Sequence, residues 1–418
     1  MNSQDTIATR KWKLPFFTIW TGQAFSILGS TLVQFALIWY LTKTTGSGVV
    51  LAAASLVGLL PSILLGPLAG ALVDRWNRRV TMMAADGVVA LATLLLAGLF
   101  SLGIAEVWHI YVLMFVRSLA GSFHWAAMQT STSLMVPRAH LARIQGLNSI
   151  LSGSMNIVAA PLGALLLDVL PLQGVLLIDV STALLAIAPL VFIAVPQPSL
   201  PEIQPNTPDG GLWEDLTAGF RYVACWPGLM MILGMAVVIN FLLTPAASLL
   251  PLMVRNHFDG DALQFASLES AMGIGVIAGG LILGVWGGFK NRMLTTIVGL
   301  AGTGAASLLL GFAPAWAFPL AVAGMLLLGV SNPITNGPLM ALIQEAVEPE
   351  MQGRVFTLIG SAAGLMSPLG LALAGPLSDV LGVQAWFVAG GIITILMAAA
   401  SLFVPALMEF GHPRQALI

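Results

Sequence analysis

Long, predominantly apolar runs follow one another along almost the whole chain, and that repetition limits its fold more than any single motif does. A bilayer's hydrocarbon core, ~30 Å thick, is crossed by a helix of roughly 20 apolar residues. Twelve runs of about that length or more are present, near 15–41, 48–73, 80–104, 107–135, 141–170, 172–195, 228–254, 262–288, 292–313, 316–343, 352–381 and 383–408. Asp, Glu, Lys and Arg supply only 8% of the 418 residues, whereas a water-soluble chain carries about 25%. Burial in a water-soluble core cannot account for so few charges. A membrane β-barrel would show short alternating segments, and these runs are continuous. The expected fold class is an all-α membrane protein with twelve transmembrane helices.

Most connections are very short. The exception, Pro196 to Gly211, is rich in Pro, Asn, Ser and Gly and has no apolar period, as a flexible linker would. After it, Leu212 to Trp226 places apolar residues at helical spacing among Glu214, Asp215 and Arg221, the pattern of a helix lying on the membrane surface. The expected organisation is a six-helix half over residues 1–195, a cytoplasmic linker with an amphipathic helix over 196–227, and a second six-helix half over 228–418. Arg10, Lys11 and Lys13 lead into a run too long for a signal-peptide core, so no cleaved leader is expected. With the N-terminus inside the cell, thirteen of the sixteen Lys and Arg residues face the cytoplasm, only Lys43 and Arg255 face outward, and Arg117 falls within a span. The positive-inside rule therefore puts both termini in the cytoplasm.

The halves echo each other. Arg79 and Arg292 follow the second run of each half, Arg143 and Arg354 the fourth, and Pro161-Leu162-Gly163 and Pro368-Leu369-Gly370 lie in the fifth, at offsets of 213, 211 and 207 residues. Such a six-plus-six parallel repeat is a building plan of secondary transporters. One cysteine, Cys225, and five histidines argue against a disulfide framework or a structural metal site. No HExxH, GxSxG or phosphate-binding Gly-Lys-Ser/Thr loop is present, so neither a membrane enzyme nor an ATP-driven pump is favoured.

Between the second and third runs stands GALVDRWNRRV, Gly70 to Val80. Arg75, Arg78 and Arg79 suit membrane anchoring, but anchoring does not require Asp74. The pattern Gly70-x-x-x-Asp74-Arg75-x-x-Arg78-Arg79 resembles the signature loop of the major facilitator superfamily, with Asn77 where that family usually has Gly. Asn tolerates a left-handed φ better than other non-glycine residues, so the turn is expected to survive. The resemblance implies that Gly70, Asp74, Arg75, Arg78 and Arg79 form a cytoplasmic latch. Arg117, followed four residues later by Gly121, matches the family's intramembrane arginine, for which proton coupling is implied; snorkelling from the membrane edge is the alternative. Ala159-Ala160-Pro161-Leu162-Gly163-Ala164 is similar to a weakened form of the exporter motif of that family, and packing alone explains it equally well. GQAFSILGSTLVQFALIWYLTKTTGS, VPRAHLARIQGLNS, LWEDLTAGFRYV, WGGFKNR and NPITNGPLMALIQ extend the likeness to the macrolide-efflux branch, whose relatives also export siderophores.

Proton coupling needs a titratable group reachable from both sides in turn. Asp179 and Glu269 are the candidates beside Arg117, with helix–helix hydrogen bonding as their alternative. Asp86 is expected to partner the loop arginines and His124 to be a structural histidine. Asp168 and Asp379 are expected to be solvated. The resemblance implies a cavity lined by spans one, four, seven and ten, which favours Gln34, Asn240, Asn332 and Asn336; Trp125 and Met128 would add an apolar wall or serve packing. The glycines of span eight, including Gly273, Gly275, Gly279, Gly280 and Gly284, would allow close helix contact. The expected function is proton-coupled export of bulky amphipathic molecules by alternating access, with import or uniport of a metabolite on the same fold as the alternative. Expected partners are a small-molecule substrate, protons and the bilayer; a monomer is expected, with no cofactor, metal or nucleic acid.

Overall fold

A computed structural model describes residues 12–73, 75–197 and 212–410. The described residues form helices and no strand. In chain order these are α1 (Lys13–Thr45), α2 (Gly48–Val73), α3 (Arg78–Ser101), α4 (Val107–Met135), α5 (Arg138–Val169), α6 (Leu172–Phe192), α7 (Leu212–Ala224), α8 (Pro227–Ser248), α9 (Leu250–Asn256), α10 (Ala262–Trp286), α11 (Arg292–Phe312), α12 (Phe318–Ala346), α13 (Pro349–Leu381), α14 (Val383–Ser401) and α15 (Pro405–Met408). Eleven described helices are long and apolar enough to cross a membrane. The helix of spanning length outside that group is the 29-residue α4, whose sequence carries Arg117, His124 and a run of hydroxyl residues, Thr130 to Ser133. The twelve-helix plan therefore stands, with α7 as the short helix after the linker. The linker residues 198–211 and the first eleven residues lie outside the described part.

Helices are what lipid permits, because each backbone N–H and C=O finds its partner within the segment. Side-chain hydroxyls are absorbed in the same way. Thr31 donates to the Ile27 carbonyl, Thr42 to Ile38 and Ser131 to Ala127, each four residues back and at 2.6–2.8 Å. The faces turned away from the helix contacts are apolar, with Leu95, Phe192, Val285 and Val380 all exposed. Such surfaces suit contact with lipid.

Two compact units result, one of residues 1–45 and 53–204 and the other of 46–52 and 205–418. In the first, α1 packs on α5 and α6, and α3 packs on α4 and α6. In the second, α8 packs on α13 and α14, and α11 packs on α12 and α14. Corresponding glycines make corresponding contacts. A Cβ on Gly163 would lie 2.9 Å from the Phe35 ring of α1. A Cβ on Gly370 would strike the Phe241 carbonyl of α8. The Pro-Leu-Gly repeat thus marks the place where the fifth helix of each half meets the first.

The repeat also shows at helix starts. Asn77 and Asn291 both take extended backbone and cap the helix that follows, Asn77 Oδ1 accepting from Val80 N–H and Asn291 Oδ1 from Met293 N–H. The expectation of a left-handed turn at Asn77 is corrected: its φ is −70°, and its value lies in the cap.

Span eight is divided. Gly275 and Gly279 pack on the α12 backbone, and a Cβ on Gly329 would lie 2.9 Å from Gly275 Cα, whereas Gly280 and Gly284 have open space where a side chain would go. Gly275→Val is therefore expected to force α10 and α12 apart at a cost of about 1–3 kcal/mol and to lower the melting temperature of the detergent-purified protein. Gly280→Ala should leave it unchanged. Equal melting temperatures for the two variants would remove the backbone contact from the account.

Candidate functional site

A cavity of about 590 Å³ lies wholly within the second unit. Helices α8, α10, α11, α12 and α14 each contribute to its wall. Most of the lining is aliphatic, aromatic or methionine, including Met235, Ile239, Met272, Met325 and Phe387. Polar groups are few and spaced apart: Asn240 and Thr244 on α8, Glu269 on α10, Thr296, Thr303 and Ser307 on α11, and Thr335 with the two amides Asn332 and Asn336 on α12, joined by Ser401 on α14. A volume of roughly 300–1,000 Å³ with a small number of placed polar groups is what a small-molecule site requires.

The local backbone explains why these side chains stay available. Asn240 Nδ2 donates to the Ala236 carbonyl at 2.9 Å and Asn336 Nδ2 to the Asn332 carbonyl at 3.1 Å. Thr303, Ser307 and Thr335 donate to carbonyls four residues back. Thr296 is buried, lines the cavity, and its hydroxyl has no hydrogen-bond partner among the described residues. Glu269 is the one ionisable side chain among the described residues of the cavity wall.

The first unit holds its polar groups differently. Arg117 on α4 makes a 2.5 Å ion pair with Asp179 on α6, and the two side chains are 10% and 1% exposed. The same guanidinium donates to the Ser30 carbonyl at 3.0 Å and to Thr93 Oγ1 at 3.4 Å. Ser30 Oγ and Thr93 Oγ1 in turn donate to the two Asp179 oxygens at 3.2 and 3.3 Å. Arg117 is thus not snorkelling, and one ion pair ties α1, α3, α4 and α6 together.

A second cluster lies in the same unit. Gln23 Nε2 on α1 donates to Asp86 Oδ2 at 3.2 Å, and His124 Nε2 on α4 lies 3.6 Å from Asp86 Oδ1. The expected pairing of Asp86 with the loop arginines is corrected, because helix packing brings Gln23 and His124 to its carboxylate instead. Arg79 donates through Nε and Nη2 to the carbonyls of Leu190 and Val191, in the last turn of α6, where a cation also suits the helix dipole. Arg78 is buried and its backbone N–H donates to Gln197 Oε1 at 3.3 Å. Arg75 is exposed, and Trp76 stacks on Phe123 of α4 with ring centroids 5.7 Å apart. Asp74 lies outside the described residues. No heavy atom of the described residues comes within 4 Å of a Cβ built on Gly66 or Gly70, so the end of α2 has open space at both positions.

Asn240, Glu269, Asn332 and Asn336 are thus brought into one cavity. Gln34, Trp125 and Met128 are not among its lining residues. Gln34 is exposed on α1, and Met128 packs against the cluster of Ile19, Val73 and Met82. Trp125 is 66% exposed and borders a separate groove of about 550 Å³ in the first unit, with Gly58, Gly66 and Gly121. The α11 hydroxyls were missed because the family resemblance directs attention to spans seven and ten. The spacing of Thr296, Thr303 and Ser307 along one span was the available signal. Asp379 is another departure from expectation. It accepts from Ser47 Oγ at 3.0 Å and from the backbone N–H groups of Gly48 and Val49, in the segment that clusters with the second unit.

Two helical units built on one repeat, with a ligand-sized cavity and buried charges inside the spans, define a polytopic membrane transporter. The sequence matches the Major Facilitator Superfamily over residues 19–371 and 246–415, and the chain belongs to that family. It is a transporter rather than an enzyme. It is 33% identical to macrolide efflux protein A of Streptococcus pyogenes, an alignment covering 93% of this chain and 95% of that one. Against macrolide efflux protein A of Enterococcus faecalis it is 30% identical over 78% of this chain and all of the relative. The multidrug efflux pump Tap of Mycolicibacterium fortuitum is 25% identical over 91% of this chain and 93% of the pump. A solved POT family transporter superposes with a TM-score of 0.70 at 10% identity, over 94% of this chain and 96% of that one. A bacterial homolog of the human lysosomal transporter Spinster superposes at 0.67 and 13% identity, over 95% and 98%. These two likenesses carry the fold.

Replacing Asp179 by Ala leaves the Arg117 guanidinium buried without its counter-charge, a change that costs about 3–5 kcal/mol. The melting temperature of the purified variant is expected to fall accordingly, and the double variant Arg117→Met, Asp179→Leu to recover most of the loss. A double variant no more stable than the single one would mean that the pair is not held as the geometry requires.

Proposed function

We propose that this protein is a proton-coupled exporter of bulky amphipathic small molecules, working by alternating access as a monomer in the cell membrane with both termini in the cytoplasm. The observation that carries the reading is the cavity of the second unit, large and mostly apolar, with amides, hydroxyls and one carboxylate at separate points. Such a wall suits a greasy body bearing a few polar groups better than it suits a small, highly polar metabolite. The relatives described as macrolide and multidrug efflux proteins support the direction of transport. The division into halves over 1–195 and 228–418, joined by 196–227, supplies the two bodies that alternate.

In this reading Arg117, Asp179 and Glu269 carry the coupling. Asp179 exchanges its ion pair with Arg117 for a proton, and Glu269 takes its proton at the cavity wall. The Gly70–Arg79 loop is the cytoplasmic latch, with Asp74 as its acid. Arg78 and Arg79 fix the loop to the first unit through the contacts already described, which leaves Asp74 and Arg75 to form and break contacts.

The test is accumulation of a macrolide, a cationic dye and a catechol siderophore in an efflux-deficient bacterium, with and without the protein. Lower accumulation of at least one compound, restored by a protonophore, is the expected result. Asp74→Asn should reduce export severalfold with the protein still in the membrane, and Asp179→Asn or Glu269→Gln should abolish its dependence on the pH gradient. Unchanged accumulation across the panel would move the assignment to import or uniport.

A further inference from the structure

The second-unit cavity has an electrostatic one-sidedness that the family assignment does not contain. Among the described residues of its wall, Glu269 alone is ionisable, and none on α8, α10, α11, α12 or α14 is a Lys, Arg or His. Among the described residues the Glu269 carboxylate has neither a hydrogen-bond donor nor an ion-pair partner. Asp179 in the first unit shows what a settled intramembrane acid looks like, with Arg117, Ser30 and Thr93 all directed to its oxygens. Glu269 has no such shell. In the same cavity wall, the buried Thr296 hydroxyl is also without a hydrogen-bond partner among the described residues. A charged group in a site of low dielectric is costly unless paired, so the missing partner has to come with the ligand or as a proton.

We propose that Glu269 is the anchor for a positively charged nitrogen on the transported molecule, and that the cavity takes amphipathic monocations and rejects anions of the same size and shape. This rests on reading the cavity as the substrate site. The apolar wall holds the body of the molecule, with Met235, Met272 and Met325 supplying flexible, polarisable contacts that tolerate different shapes. The amides Asn240, Asn332 and Asn336 and the Thr296 hydroxyl meet its polar substituents. The carboxylate accommodates either a proton or the cation, so arrival of one displaces the other, and no second ionisable group among the described residues of the cavity wall competes for that role. Chelators carrying catecholate or carboxylate groups would place negative charge against Glu269, and the cavity disfavours them.

Tetraphenylphosphonium and tetraphenylborate are ions of nearly equal size and opposite charge, and they test the inference on the purified full-length protein. Saturable binding of tetraphenylphosphonium is expected, weakening as the pH is lowered, with tetraphenylborate bound at least tenfold more weakly. Glu269→Gln should weaken tetraphenylphosphonium binding at least tenfold, and Glu269→Asp should retain part of it. Equal binding of the two ions by the wild-type protein would overturn the proposal whether or not the variants fold. So would a folded Glu269→Gln protein that binds the phosphonium as the wild type does. Charge-selective binding without any export from cells would instead keep the anchor and remove the export reading. Export that persists while binding is blind to charge would do the reverse.

Discussion

Lipid offers no hydrogen bonds, and every other feature of this protein is arranged around that fact. A backbone that must satisfy itself within each segment becomes helical, and a hydroxyl within a span turns back to a carbonyl of its own helix, as Thr31, Thr42 and Ser131 do. Charges that remain in the spans must then be matched by partners or face a space where a partner can enter. Asp179 follows the first course and Glu269 the second. The contrast between them organises the site more than any sequence motif does.

The two halves share a scaffold and diverge in how they use it. Gly163 and Gly370 bring the fifth helix of each half against the first, and Asn77 and Asn291 start the third in the same way. On that common frame the first unit spends its buried polar groups on crosslinking four helices through Arg117 and Asp179. The second closes α10 onto α12 through Gly275 and Gly329 and holds a cavity among the surrounding helices. Even the equivalent arginines differ. Arg79 is bound to the end of α6, while Arg292 makes an exposed pair with Glu345 at 2.6 Å, an arrangement that contributes at most about 1 kcal/mol in water.

The fold was legible because spans are written in composition, which needs no knowledge of neighbours. The cavity amides were legible in part for the same reason: Asn240, Asn332 and Asn336 stand out against apolar surroundings. Pairing was not legible. Asp86 lies closer in sequence to the arginine loop than to Gln23 or His124, yet helix packing puts it with the latter two. Gly70 belongs to the loop pattern, but whether a neighbour approaches it depends on the position of other helices, and none of the described residues comes within 4 Å of a Cβ built there. Asn77 reads as a substitute for glycine at a turn and instead serves as a helix cap.

By itself, then, the sequence determined the class of solvent this chain lives in, the number and length of its helices, the internal repeat and the family. Each follows from local composition or from patterns that recur along the chain. Only the tertiary structure decided that Asp179 is locked to Arg117 while Glu269 opens onto a cavity. Both acids sit in apolar helices of similar sequence character. What separates them is which helices pack beside them, a matter of three-dimensional neighbours that the chain order does not contain.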